Sequence, residues 1–105
     1  IFKVPNFEAD DLIGTLARQA AEKGTNVVIL TGDQDAFQII DAQDNISLLV
    51  PSFGGGLSRY DRQKVFEKWG VYPEQVTDFK GLKGDSSDNI PGVPGIGDKT
   101  AAKLL

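Results

Sequence analysis

Asn26-Val27-Val28-Ile29-Leu30-Thr31 is a short, nearly continuous β-branched run that stops at Gly32. Such a run is the pattern of a strand buried on both faces in a parallel sheet. The segment before it has a different period. From Asn6 to Lys23, Ala9, Leu12, Ile13, Leu16, Ala17 and Ala20 recur at steps of three and four, which predicts an amphipathic helix with Asn6 as N-cap and Gly24 as stop. Asp33–Ile40 reads as a short helix or turn, and Ile46–Val50 as a second strand. Helix, strand, helix and strand in succession argue for an α/β layer.

The character changes at Pro51-Ser52-Phe53-Gly54-Gly55-Gly56, which reads as a flexible loop. Beyond it the signal is helical. Asp61–Trp69 places Val65, Phe66 and Trp69 on one side, and Pro73 opens a helix that turns Val76, Phe79 and Leu82 inward before Gly84. A Gly- and Pro-rich loop, residues 84–97, leads to a last helix, Asp98–Leu105, packed through Ala101, Ala102, Leu104 and Leu105. The expected organisation is an α/β region over residues 1–50 and a helical region over residues 51–105.

The composition narrows the chemistry. There is no His, Cys or Met, which excludes a Ser-His-Asp triad, a thiolate nucleophile, disulfides and a zinc site of the usual nitrogen and sulfur ligands. Carboxylates, hydroxyls, lysines, arginines and backbone amides remain, a set suited to hard cations. The net charge of −4 is uneven, since residues 1–50 hold eight acids against three bases and residues 51–105 seven against eight. No long apolar run, secretory leader or lipidation signal appears, so a soluble chain with no membrane partner is expected. The start at Ile1-Phe2-Lys3 and the apolar end at Leu104-Leu105 suggest a piece of a longer chain.

Three acidic clusters stand out: Glu8, Asp10 and Asp11; Asp33 and Asp35; Asp85 and Asp88. Each has a plain structural reading. Acids in a first helical turn are stabilised by the helix dipole, and Asp33, Asp35, Asp85, Ser86, Ser87, Asp88 and Asn89 all have cap or turn chemistry. Their placement adds a functional one. Asp33 and Asp35 follow the first strand, and open α/β sheets bind ligands outside the carboxyl ends of their strands. Glu8 and Asp11 share a helix side, with Asp10 a quarter-turn away. Gathered in one crevice, these carboxylates would repel one another unless divalent cations neutralised them. Two such cations, roughly 3.5–4 Å apart, form the clamp that stabilises both oxygens of a phosphodiester displacement.

Gly92-Val93-Pro94-Gly95-Ile96-Gly97-Asp98-Lys99-Thr100 joins loop to helix through a glycine-punctuated turn. The backbone there could approach a phosphate, with Lys99 and Lys103 adding charge one turn apart, or the segment could be a plain connector. It is not a nucleotide-hydrolase phosphate loop, because the Gly-Lys-Ser/Thr ending is absent.

Phe7-Glu8-Ala9-Asp10-Asp11, Thr31-Gly32-Asp33-Gln34-Asp35 and the stretch from Gly84-Asp85-Ser86-Ser87-Asp88-Asn89 to Asp98-Lys99-Thr100-Ala101 together resemble the 5′ nuclease domain of bacterial DNA polymerase I, within the flap-endonuclease superfamily. The resemblance covers the whole chain. It implies an α/β parallel-sheet nuclease core, here truncated, followed by a helical region with a helix-hairpin-helix, in a bacterial cytoplasmic protein. The implied activity is hydrolysis of DNA at a 5′ end or 5′ flap, including RNA-primed ends, with Mg²⁺ or Mn²⁺. Glu8, Asp10, Asp11, Asp33, Asp35, Asp85 and Asp88 are the implied metal-binding and catalytic acids. Lys83, Gly92, Gly95, Ile96, Gly97, Lys99, Thr100 and Lys103 are the implied DNA contacts, with K⁺ at the hairpin carbonyls.

Members of that family also carry upstream aspartates and a mobile basic segment, neither of which is in this sequence. The chain alone is therefore expected to be inactive or impaired, and its exposed apolar surface to favour self-association. Two other readings stand beside this one: a helix-hairpin-helix DNA-binding module without catalysis, and a generic α/β piece.

Overall fold

A computed structural model describes all residues, Ile1–Leu105. Helix α1 spans Ala9–Glu22. It starts later than its apolar period suggests, because Asn6 adopts a left-handed φ of 70° in a turn where the Phe7 amide donates to the Val4 carbonyl at 3.3 Å. Glu8 is the N-cap instead, and its own amide donates to Asp11 Oδ2 at 3.1 Å. At the far end Gly24, with φ +80°, allows its amide to reach Ala21 O and that of Thr25 to reach Ala20 O, at 2.9 and 3.1 Å. This paired closure is the Schellman arrangement.

The sheet has order β1-β2-β3, with β1 at Val27–Leu30, β2 at Ile46–Pro51 and β3 at Leu57–Tyr60. β1 and β2 are parallel, in register from Val27–Ile46 to Leu30–Leu49. β2 and β3 are antiparallel, from Leu48–Tyr60 to Pro51–Leu57. Two expectations are corrected. β1 is an edge strand covered on one face, so Ile29 is buried while Val28 and Leu30 are 47% and 66% exposed. Burial on both faces belongs to the central strand β2, where Ile46, Ser47, Leu48 and Val50 are all buried. The glycine segment, moreover, is a hairpin turn rather than a break between regions, and the sheet continues to Tyr60.

A 3₁₀ segment, Gln34–Ile39, links β1 to β2. Its Phe37 is fully buried and packs against Tyr60 and Trp69 at ring-centroid distances of 4.7 and 5.0 Å. Helix α2, Arg62–Trp69, is capped by Asp61, whose Oδ1 accepts the Lys64 amide at 2.8 Å. A short 3₁₀ turn, Pro73–Gln75, leads into α3, Val76–Lys83, and a loop then reaches α4, Asp98–Leu104. Trp69 packs against both the main core and a second cluster of Val71, Phe79 and Ala101, so the two halves share one interior. In α4 only Ala101 and Ala102 face that cluster. Leu104 and Leu105, expected to pack, are 61% and 40% exposed where the helix runs out. No helix is long and apolar enough to cross a membrane.

Candidate metal centre

The carboxyl end of β1 delivers the first acid. Thr31 Oγ1 accepts the Asp33 amide at 3.1 Å, and Asp33 Oδ1 in turn accepts the Asp35 amide at 2.9 Å. Asp33 thus caps the 3₁₀ segment, and the cap sets the direction of Asp35. With Phe37 anchored in the core two residues later, Asp35 sits half-buried on a rigid mount.

The other two acids come from the loop after α3. Residues 85 and 90 close it as an antiparallel bridge, with N–H···O distances of 2.9 and 2.8 Å. Val93 donates to Leu82 O at 2.8 Å, which folds the following strand of chain back on α3. Gly84 and Gly92 touch backbone to backbone here. A Cβ on Gly92, whose φ is +68°, would stand 2.6 Å from Gly84 N. Inside the loop Asp85 Oδ1 accepts from the Ser87 amide at 3.0 Å and from Ser87 Oγ at 2.5 Å.

The result is a meeting of Asp35, Asp85 and Asp88, each able to offer one carboxylate oxygen within 4.8 Å of the others. Lys80, from the last turn of α3, enters the same group. It pairs with Asp35, with Asp85 Oδ2 at 2.8 Å and with Asp88 Oδ2 at 3.7 Å, while its own side chain is 12% exposed. Hydrogen bonds from Lys80, then from Ser87, hold the Asp85 carboxyl well below the usual carboxylate range. Lys80 lies outside the residues to which the sequence pattern points. Its position five residues before Asp85, in the helical turn feeding the acidic loop, was the available signal.

Of the acids at the start of α1, two share a cleft with Asp35. Asp10 and Asp11 line a cleft of about 580 Å³ together with Asp35, Thr15 and Arg18. Glu8 lies exposed at the start of α1. Three carboxylate oxygens at this spacing suit a hard cation that takes oxygen ligands.

The hairpin residues divide into two kinds. Gly92 serves the internal contact with Gly84, whereas a Cβ on Gly95 or Gly97 would meet nothing within 4 Å, which leaves that backbone open to a partner. Lys99, Thr100 and Lys103 are exposed, and Ile96 packs partly against the second cluster. Lys83 is turned inward: its ammonium lies 4.9 Å from the Phe79 ring centroid and 3.6 Å from Asp98 Oδ1.

Residues 1–70 match the family described as 5′-3′ exonuclease, N-terminal resolvase-like domain. The chain belongs to the 5′-3′ exonuclease family. Residues 71–105 match its C-terminal part, described as a SAM fold. Among sequence relatives, DNA polymerase I of Mycobacterium tuberculosis strain H37Rv is 49% identical over 106 residues, covering 100% of this chain and 12% of the polymerase. DNA polymerase I of Bacillus subtilis is 48% identical, covering 99% of this chain and likewise 12% of the relative. The chain thus spans about an eighth of these polymerases.

Solved structures similar to this chain agree in fold. T5 5′-exonuclease with divalent zinc ions bound superposes with a TM-score of 0.82 at 28% identity, covering 98% of this chain and 36% of that one. A bacteriophage T5 flap endonuclease in a pseudo-enzyme–product complex with DNA and metal ions gives 0.81 at 27% identity, with the same coverage. The mixed α/β core followed by a helical region, as read from the sequence, is the fold of this family.

Proposed function

We propose that the chain forms part of a metal-dependent 5′ nuclease that hydrolyses phosphodiester bonds of DNA at a 5′ end or 5′ flap, including RNA-primed ends. The observation that carries this reading is the convergence of Asp35 with Asp85 and Asp88, brought from both halves of the chain into one oxygen-lined group. The metal- and DNA-bound T5 relatives support it. Mg²⁺ or Mn²⁺ held there would supply charge stabilisation and an activated water for in-line displacement. The chain's own residues do the placing. Asp33 aims Asp35 through its cap, Ser87 and the 85–90 bridge fix Asp85, and Asp10 and Asp11 extend the acidic wall of the cleft.

In the same reading the hairpin holds the duplex backbone. Gly95, Ile96 and Gly97 present the open turn, Lys99, Thr100 and Lys103 its polar and basic contacts, and turn carbonyls would take K⁺. Such contacts position DNA without reading its sequence, so affinity should fall with salt. The exposed apolar residues Val28 and Leu30 on β1 and Phe2 and Phe7 before α1 offer a surface for self-association. The proposed setting is the bacterial cytoplasm.

Mn²⁺ uptake by this chain, followed by the loss of the free-ion paramagnetic resonance signal, tests the reading. Uptake that disappears in Asp35→Asn/Asp85→Asn is expected; no uptake by the unaltered chain, or equal uptake by the double variant, contradicts it. One observation favours a second reading, a DNA-binding module without catalysis: Lys80 already neutralises part of the cluster. That module would bind DNA with a Lys99-dependent salt response and show no Asp35-dependent metal uptake.

A further inference from the structure

Lys80 stands where a cation would stand. Asp35 comes from the segment after β1, and Asp85 and Asp88 from the loop after α3; the ammonium on α3 touches all three. Carboxylates this close repel, and the repulsion rises as water is excluded. One ammonium against three carboxylates offsets only part of it, so the group keeps an excess of negative charge that still attracts a divalent ion. The two cations cannot share the position. A small hard ion binds carboxylate oxygen at roughly 2.0–2.1 Å and tolerates little departure from its geometry, and Nζ at 2.8 Å from Asp85 Oδ2 fills that space. Lysine suits a replaceable occupant, being a point charge on a flexible four-carbon stem. Arginine, planar and forked, would be harder to withdraw.

We propose that Lys80 is an internal counter-cation. It holds Asp35, Asp85 and Asp88 together before metal arrives, and it competes with the incoming ion, so that uptake is an exchange of the ammonium for the metal. Lys80 is thereby a positioning residue, acting on the carboxylates rather than on substrate. The inference rests on the metal-dependent reading above and adds a residue and an order of events to it.

The test compares the unaltered chain with Lys80→Met, which keeps the stem without its charge, and Lys80→Arg. Mn²⁺ dissociation constants come from paramagnetic resonance, and thermal midpoints are recorded with and without Mn²⁺. Lys80→Met should bind Mn²⁺ about tenfold more tightly, the effect expected for removing one unit charge a few ångströms away from a partly exposed site. Without metal it should melt several degrees below the unaltered chain, and Mn²⁺ should close the gap. Lys80→Arg should bind no more tightly than the unaltered chain. Equal or weaker Mn²⁺ binding by Lys80→Met while the unaltered chain binds overturns the counter-cation role and leaves the nuclease reading intact. Absence of Mn²⁺ binding in every protein overturns both. The unaltered chain gives a second readout if Lys80→Met fails to fold: the Lys80 side-chain resonances should shift in step with Mg²⁺ saturation, and a stationary Lys80 signal through saturation refutes the exchange.

Discussion

Gly84 and Gly92 show how a single residue can serve the fold where the sequence pattern points to a ligand. Both have positive φ, and neither has room for a Cβ: at Gly84 it would meet the Ile90 and Pro91 carbonyls, and at Gly92 the backbone of Lys83 and Gly84. Gly92→Ala should therefore combine a left-handed penalty of about 1–2 kcal/mol with a backbone clash. A fall in thermal midpoint of at least about 8 °C is expected, at roughly 4–8 °C per kcal/mol for a domain of this size. Gly97→Ala, at an extended N-cap with open space around it, should cost no more than about 1 kcal/mol. Differential scanning calorimetry of the pair checks both; similar losses would contradict the contact. A pattern of glycines gives their number and spacing, but not which of them faces another part of the same backbone.

The element that does most to build the site is the 3₁₀ segment after β1. It ties Asp35 to the core through Phe37, whose ring meets those of Tyr60 on β3 and Trp69 on α2. Phe37→Ala should destabilise the chain by about 3–5 kcal/mol and weaken Mn²⁺ uptake in parallel, as calorimetry and metal titration would show. Acid stability has a defined sign at the neighbouring loop. Asp85 is held below its unfolded value of about 3.9 chiefly by Lys80. Its stabilising contribution is therefore complete above about pH 4 and is lost as pH falls through the lower folded value. The difference in thermal midpoint between the unaltered chain and Asp85→Asn, in metal-free buffer, should hold steady from about pH 5 to 7 and shrink below about pH 4; a difference that grows on acidification would contradict the pairing.

Much of this level was legible in the sequence. The apolar period gave α1, and the β-branched run gave β1 and the acids that follow it. β3 was not, because Leu57-Ser58-Arg59-Tyr60 is stabilised by pairing with β2 rather than by a pattern of its own, and three glycines before it imitate a break. Asn6 was misleading for a related reason: a good capping residue was used in a turn one step earlier. Lys80 escaped because its role depends on three acids from two segments, one of them 45 residues away in sequence, which only the fold brings within reach.

At the scale of the whole molecule, the packing through Trp69 makes the acidic centre a property of both halves. Neither residues 1–70 nor 71–105, the spans of the two family matches, contain Asp35 and the Asp85–Asp88 pair together. The same architecture leaves Val28 and Leu30 exposed along the edge strand, and edge strands with apolar side chains favour association. Leu30→Lys should lower the average mass seen by sedimentation velocity at high protein concentration, and unchanged sedimentation would argue that this edge is not the contact. Whether the three carboxylates form a divalent-metal site is decided by anomalous diffraction from crystals soaked in Mn²⁺. A Mn²⁺ peak is expected among Asp35, Asp85 and Asp88 with the Lys80 ammonium withdrawn; Mn²⁺ bound elsewhere, with Lys80 still paired to all three acids, would refute it.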